Sequence, residues 1–259
     1  MIPDTSASRP YQQVAARLRE MILRGATAVG DRLPAEREIA GQLQVTRTLV
    51  REALIMLEIE GLIEVRRGAG IYVVAMPASG QRQAAGGQAP QQESAGPFEL
   101  LQARQLLESN IAEFAAQQVT PADISKMRQA LLLEEQELAT DSLDDTEKGD
   151  RLFHLAIAEA THNSLLVELF RQSWQWRVNN PMWAQLHRHL DSSHYRQAWL
   201  EDHRRILAAL IKKDPRAAKC AMWQHLENVK QRLLEFSDVD DLNFDGYLFA
   251  SWPLGEGSE

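Results

Sequence analysis

Near the start of the chain Val14, Leu18, Met21 and Ile22 stand at i, i+4, i+7 and i+8, a spacing that predicts a first helix over 11–24. Gly25 stops it, and the stretch through Gly30 and Asp31 reads as a turn. Pro34 stands where the first helical position belongs, so a short second helix is expected over 35–43. Gln44, Val45 and Thr46 form a three-residue turn. Thr46 then caps a third helix over 47–60, with Val50, Leu54 and Leu57 as its core face and Gly61 as its stop. Two short β-rich runs follow, 62–66 and 71–75, joined by Arg67-Gly68-Ala69-Gly70 as a hairpin. Helix, helix, tight turn, helix, hairpin is the order of a winged helix-turn-helix, whose third helix enters the major groove of double-stranded DNA.

The pattern then lapses. From 77 to 97, 19 of 21 residues are Pro, Ala, Ser, Gly or Gln, leaving nothing larger than Ala to bury apart from the polar exceptions Arg82 and Glu93. Such a stretch reads as a flexible linker and sets the boundary of a first domain over 1–76. Helical spacing resumes at Phe98 and runs almost unbroken to Phe236, in pieces expected at 98–118, 121–139, 147–162, 163–179, 194–212 and 215–236. Residues 98–259 therefore predict an all-α bundle with an acidic, aromatic tail, and the fold class is mainly α.

Composition adds direction. The 259 residues suit two domains, and the formal charge of −8 gives no bulk attraction to nucleic acid. The charge is uneven, however. Residues 1–76 hold ten Arg and no Lys against nine acids, a net of +1, and the remainder carries −9. Arg is the residue for bidentate contact with phosphate or guanine, so the two halves are expected to meet different partners. The single cysteine, Cys220, fits a reducing cytoplasm and rules out a cysteine-based zinc ribbon. No signal pattern and no long apolar run is present, so no membrane partner is expected.

Physical roles follow from position. Arg47 projects from the first turn of the third helix and is placed to read guanine, with Arg37 beside it. Arg51, one turn on, suits a phosphate, and Arg66 and Arg67 at the wing tip suit the narrow minor groove. One such module makes few base contacts, so a homodimer on a palindromic operator is expected. In the bundle, polar residues interrupt apolar stripes. Arg104 lies among Leu100, Leu107 and Ile111; Asp150 and His154 share a face with Ile157; His203 lies among Trp199, Ile206 and Leu210; His225 lies among Met222 and Val229. Burying such groups unpaired would cost several kcal/mol, so they are expected to converge. One carboxylate and three imidazoles make a good ligand set for Zn²⁺, with Ni²⁺ or Mn²⁺ as alternatives.

The stretch "GDRLPAEREIAGQLQVTRTLVREALIMLEIEGLIEVRRGAGIYV" strongly resembles the DNA-binding domain of GntR-family transcriptional regulators. That resemblance implies DNA contacts at Arg37, Arg47, Thr48, Arg51, Arg67 and Gly68, with Thr46 capping the recognition helix. "DRLFHLAIAEATHNSLL" and "EDHRRILAALIKKDPRAAKCAMWQHL" resemble the FCD effector domain of the FadR-type subfamily. It implies a metal held by Asp150, His154, His203 and His225. Within the subfamily, "PFELLQARQLLESNIAEFAAQQVT", "NNPMWAQLHRHLDS" and "AMWQHLENVKQRL" resemble hexuronate-operon repressors. The implied effector is a small sugar acid. Arg104 and the metal would take its carboxylate, while Asn163, Arg171, Trp174, Arg177, Asn180 and Trp183 read hydroxyls or stack on the sugar.

Two other readings compete. The same regulator could answer to lactate, glycolate or another small hydroxy acid, because a metal and an Arg do not by themselves select a hexuronate. A metal-dependent enzyme would instead need an acid or base near the metal, and only Glu108 stands out there. A winged helix offers an enzyme nothing, so no catalytic residue is expected.

Overall fold

The computed structural model describes residues 9–25, 27–66, 69–77, 95–139, 148–188 and 192–235. These fall into two compact units, the first built on 9–77 and the second on 95–233. Most of the expected linker, the wing-tip residues Arg67 and Gly68, and the tail lie outside the described residues.

In the first unit α1 (Pro10–Leu23), α2 (Glu36–Leu43) and α3 (Arg47–Ile59) precede an antiparallel pair, β1 (Ile63–Arg66) and β2 (Gly70–Val73). The register sets Ile63 opposite Val73 and Arg66 opposite Gly70. Val14, Leu18, Ile22, Ile39, Val50, Leu54, Leu57, Ile63 and Val73 share one core, which is the apolar face the spacing predicted. Two details differ from expectation. The Gly30–Asp31 stretch continues into a third rung of the sheet, with Leu33 N–H donating to the Ile71 carbonyl at 2.8 Å and Val73 N–H to that of Asp31 at 3.0 Å. Pro34 is not the first helical residue. The backbone must stay extended to complete that rung, so the helix starts at Glu36, and Ala35 is its cap, donating its N–H to the Glu38 carboxylate at 3.2 Å.

The second unit is all helix among the described residues: α4 (Pro97–Gln118), α5 (Pro121–Ala139), α6 (Lys148–Glu159), α7 (Ser164–Val178), α8 (Pro181–Arg188), α9 (Ser192–Ile211) and α10 (Pro215–Glu235). Leu101, Ile111, Phe153, Ile157, Phe170, Ile206, Leu210 and Met222 are buried in its core. The sequence pattern missed α8. Its start is built by Asn180, whose Oδ1 accepts from Met182 N–H at 2.9 Å and Trp183 N–H at 3.3 Å, with Pro181 at the first helical position. No helix among the described residues is long and apolar enough to cross a membrane.

Helices α5 and α6 approach most closely at Gly149. A Cβ there would lie 2.5 Å from the Glu134 backbone nitrogen, a contact that real side chains do not make. Gly149→Ala is therefore expected to push the two helices apart and to cost about 1–3 kcal/mol, read as a lower Tm of the full chain. An unchanged Tm would show that this approach is looser than described.

Candidate metal centre and nucleic-acid interface

The recognition helix begins as its sequence dictates. Thr46 has extended backbone and its Oγ1 accepts from Leu49 N–H at 3.3 Å, satisfying one open donor of the first turn. Arg47 is the first residue of α3 and half-buried, while Arg37 is exposed on α2. Arg66, half exposed at the end of β1, is braced from two sides. Its Nη2 donates to Glu64 at 2.7 Å and its guanidinium lies 4.6 Å from the Tyr72 ring centre. Thr48 and Arg51 are placed differently from the expectation of DNA contact. Thr48 is buried, and Arg51 forms a two-pronged pair with the buried Glu36, Nε to Oε1 at 2.7 Å and Nη2 to Oε2 at 2.9 Å. The reason is the packing of α2 on α3, which sets a carboxylate directly opposite the guanidinium. Breaking such a pair from one side costs about 3–5 kcal/mol, so the Arg51 charge is committed to the fold.

In the second unit the structure brings all four expected ligands together. Asp150 and His154 come from one face of α6, His203 from α9 and His225 from α10, all buried, and their donor atoms lie within 4.8 Å of one another. His203 Nε2 is 3.2 Å from His154 Nε2 and 3.3 Å from His225 Nε2. Asp150 Oδ1 is 3.4 Å from His154 Nε2 and 3.5 Å from His203 Nε2. Behind each imidazole stands a carboxylate. His154 Nδ1 faces Glu108 at 2.5 Å, His203 Nδ1 faces Glu134 at 2.8 Å, and His225 Nδ1 faces Asp202 at 3.6 Å.

This arrangement fixes what the centre can hold. A carboxylate at Nδ1 keeps the proton there and turns the Nε2 lone pair inward. Three lone pairs and a carboxylate oxygen aimed at one point repel each other unless a cation lies among them. A divalent ion with bonds of about 2.1 Å needs donors roughly 3.0–3.4 Å apart, close to the spacings found. The residues therefore fit a metal ion. Protonation follows the same field. Burial works against charge on His203, but Glu134 outweighs it and holds the imidazole above the usual histidine value. Burial and the neighbouring His203 push His225 down to about 3. Burial also opposes charge on Glu108, yet Arg104 and His154 prevail and hold it at about 2. Asp150 is likewise kept ionised despite burial, by His154, Arg177 and His203.

Beside the four ligands lies a cationic, aromatic wall. Arg104 Nε donates to Glu108 Oε1 at 2.5 Å, and Arg177 Nη1 lies 3.3 Å from Asp150 Oδ2. Both guanidiniums face Trp174, at 4.9 and 4.5 Å from its ring centre, and Arg177 also lies 5.0 Å from Trp183. On another side, Glu134, Glu137, Leu138, Arg196 and Trp199 enclose a cavity that reaches Asp150. Of the residues expected to read a ligand, Arg104, Trp174, Arg177 and Trp183 are thus gathered next to the centre. Asn163, Arg171 and Asn180 have other work. Asn163 caps α7, its Oδ1 accepting from Leu165 N–H at 3.0 Å; Arg171 is exposed, facing Glu159 at 3.9 Å; and Asn180 caps α8. Sequence reasoning missed Glu134, Asp202 and Arg196.

Comparison with known proteins follows the same division. The bacterial regulatory protein, gntR family, model matches residues 10–73, and the FCD domain model matches 99–228. The Uxu operon transcriptional regulator of Escherichia coli is 70% identical over 250 residues, 96% of each chain. The Uxu operon regulator of Haemophilus influenzae is 50% identical over 250 residues, covering 96% of this chain and 91% of that one. The Exu regulon transcriptional regulator of E. coli is 51% identical over 251 residues, covering 96% and 95%. With both domains matched and relatives of this identity spanning nearly its whole length, the chain belongs to the gntR family of bacterial regulatory proteins, as a DNA-binding transcriptional regulator with an FCD domain rather than an enzyme.

Proposed function

We propose that this regulator is a cytoplasmic homodimer that represses hexuronate catabolism genes from a palindromic operator and responds to a sugar acid bound beside a zinc ion. The observation that carries the reading is 70% identity, end to end, with a regulator named for the Uxu operon. The geometry of the second unit supports it chemically. A sugar acid presents one carboxylate and a row of hydroxyls. Arg104 and Arg177 supply two cations, and Trp174 supplies an apolar face between them. Asp150, His154, His203 and His225 would hold the metal, which when bound supplies a further positive centre for the carboxylate. In the first unit Arg47 and Arg37 are the base-reading candidates, with Arg66 prepared for the backbone or minor groove by Glu64 and Tyr72. A protein of Escherichia coli named "Putative L-lactate dehydrogenase operon regulatory protein" shares 31% identity with the chain, which makes L-lactate the natural competing ligand to test.

Zinc loading should depend on pH with a definite sign. Ligand imidazoles must be neutral, and His203 holds its proton above the usual histidine value while His225 is already free of one. The Tm gained on adding zinc to metal-stripped protein should thus be greatest well above the usual histidine value of about 6.5 and already shrink as the pH falls toward it. A zinc-induced gain that did not change between about pH 8 and about pH 5.5 would remove the imidazoles from the site.

Arg47→Ala should cost about 1–3 kcal/mol of specific binding per half-site in gel-shift titrations, leaving oligomeric state and zinc content unchanged. Retention of the wild-type preference for operator over scrambled DNA would displace Arg47 from base reading.

Fructuronate or tagaturonate, at about 100-fold above its Kd, should stabilise the zinc-loaded chain by about 2.7 kcal/mol, whereas fructose and L-lactate should not. Equal stabilisation by fructose would refute carboxylate recognition, and stabilisation by lactate alone would transfer the regulator to the hydroxy-acid class.

A further inference from the structure

Of the three carboxylates behind the imidazoles, Glu108 differs from the others in what its second oxygen does. Its Oε2 faces His154 Nδ1 at 2.5 Å while its Oε1 accepts from Arg104 Nε at 2.5 Å. Arg104 lies one turn earlier on the same helix, and its guanidinium packs on the face of Trp174. Glu134, by contrast, holds His203, and Asp202 is shared with Asn228 at 2.8 Å and the exposed Arg205 at 2.8 Å. Neither of these carboxylates is bonded to a guanidinium of the Trp174 wall. Glu108 is 2% exposed, so water is no ready substitute for either partner.

We propose that Glu108 is a positioning residue that joins the anion-facing guanidinium of Arg104 to the metal-facing imidazole of His154. The inference rests on the metal reading above and is independent of which acid binds. The physical basis is the rigidity of a carboxylate. Its two oxygens move together, so a rotation that follows Arg104 draws Oε2 away from His154, and a rotation that follows His154 draws Oε1 from Arg104. The position of one group is therefore set by the other, although Arg104 itself is no ligand of the metal.

The test is zinc affinity of the metal-stripped full chain, measured by competition with a chromogenic chelator and with no sugar acid present. Glu108→Gln keeps the shape, but its amide oxygen can accept from only one of the two partners and its NH₂ must face the other. It is expected to weaken zinc binding by about 10–100-fold, the usual effect of losing an outer partner of a ligand imidazole. Arg104→Met removes no ligand, yet should weaken zinc binding several-fold in the wild-type background and by less than about twofold when Glu108 is already Gln. Wild-type affinity in Glu108→Gln overturns the proposal, and so does an equal effect of Arg104→Met in both backgrounds. Should Glu108→Gln not fold, Arg104→Met alone decides, since an unchanged affinity overturns the bridge and a several-fold loss supports it. A wild-type chain that takes up no zinc would overturn the metal reading and the bridge together.

Discussion

An imidazole backed by a carboxylate, repeated three times around one point and hydrogen-bonded at His154 and His203, is the constraint on which the second unit depends. Each carboxylate favours the proton on the ring nitrogen beside it and so leaves the other nitrogen facing inward. The cost is considerable: four acids and three imidazoles lie in the interior of a small helical bundle, where an unpaired charge would be prohibitive. Every one of them is answered by a neighbour from a different helix or from one turn away. The bundle's helices are thereby tied together by polar contacts as well as by Phe153, Ile157 and Phe170. Removing any of these partners leaves the rest poorly matched, which gives the centre a structural role of its own.

The first unit uses arginine in three distinct ways within twenty residues. Arg51 is spent on Glu36 and stabilises the packing of α2 on α3. Arg66 is held by Glu64 and Tyr72, so it loses less freedom when it meets a ligand. Arg47 stands in the first turn of α3, where open backbone donors and a positive helix end already favour an anion. Burial and pairing, rather than residue type, distinguish the three.

How much of this was legible in the sequence depends on contrast with the surroundings. A histidine among Trp199, Ile206 and Leu210 stands out, as does an Asp-His pair one turn apart, and the four residues that converge are legible that way. Glu134 was not, because in "LLLEEQEL" a buried Glu is written like its exposed neighbours. Asp202 hides in the same manner within "EDHRR". The capping roles of Asn163 and Asn180 went unread for a different reason. Each is polar and close to the aromatic run of α7 and α8, each caps a helix, and α8 is too short to declare itself by periodicity. Pro34 was displaced from its expected place by a tertiary demand, the third rung of the sheet, that local spacing does not encode.

Asn180 has one further bond. Its Nδ2 donates to the carbonyl of Ala95 at 2.7 Å, two residues ahead of the start of α4. The same side chain that begins α8, and so places Trp183 against Arg177, is thus pinned to Ala95, at the entry to α4. A displacement of Trp183 large enough to carry Asn180 with it must either carry Ala95 along or break the bond. In mechanical terms the aromatic stack beside the four converging residues and the segment leading into α4 are held by a single pin.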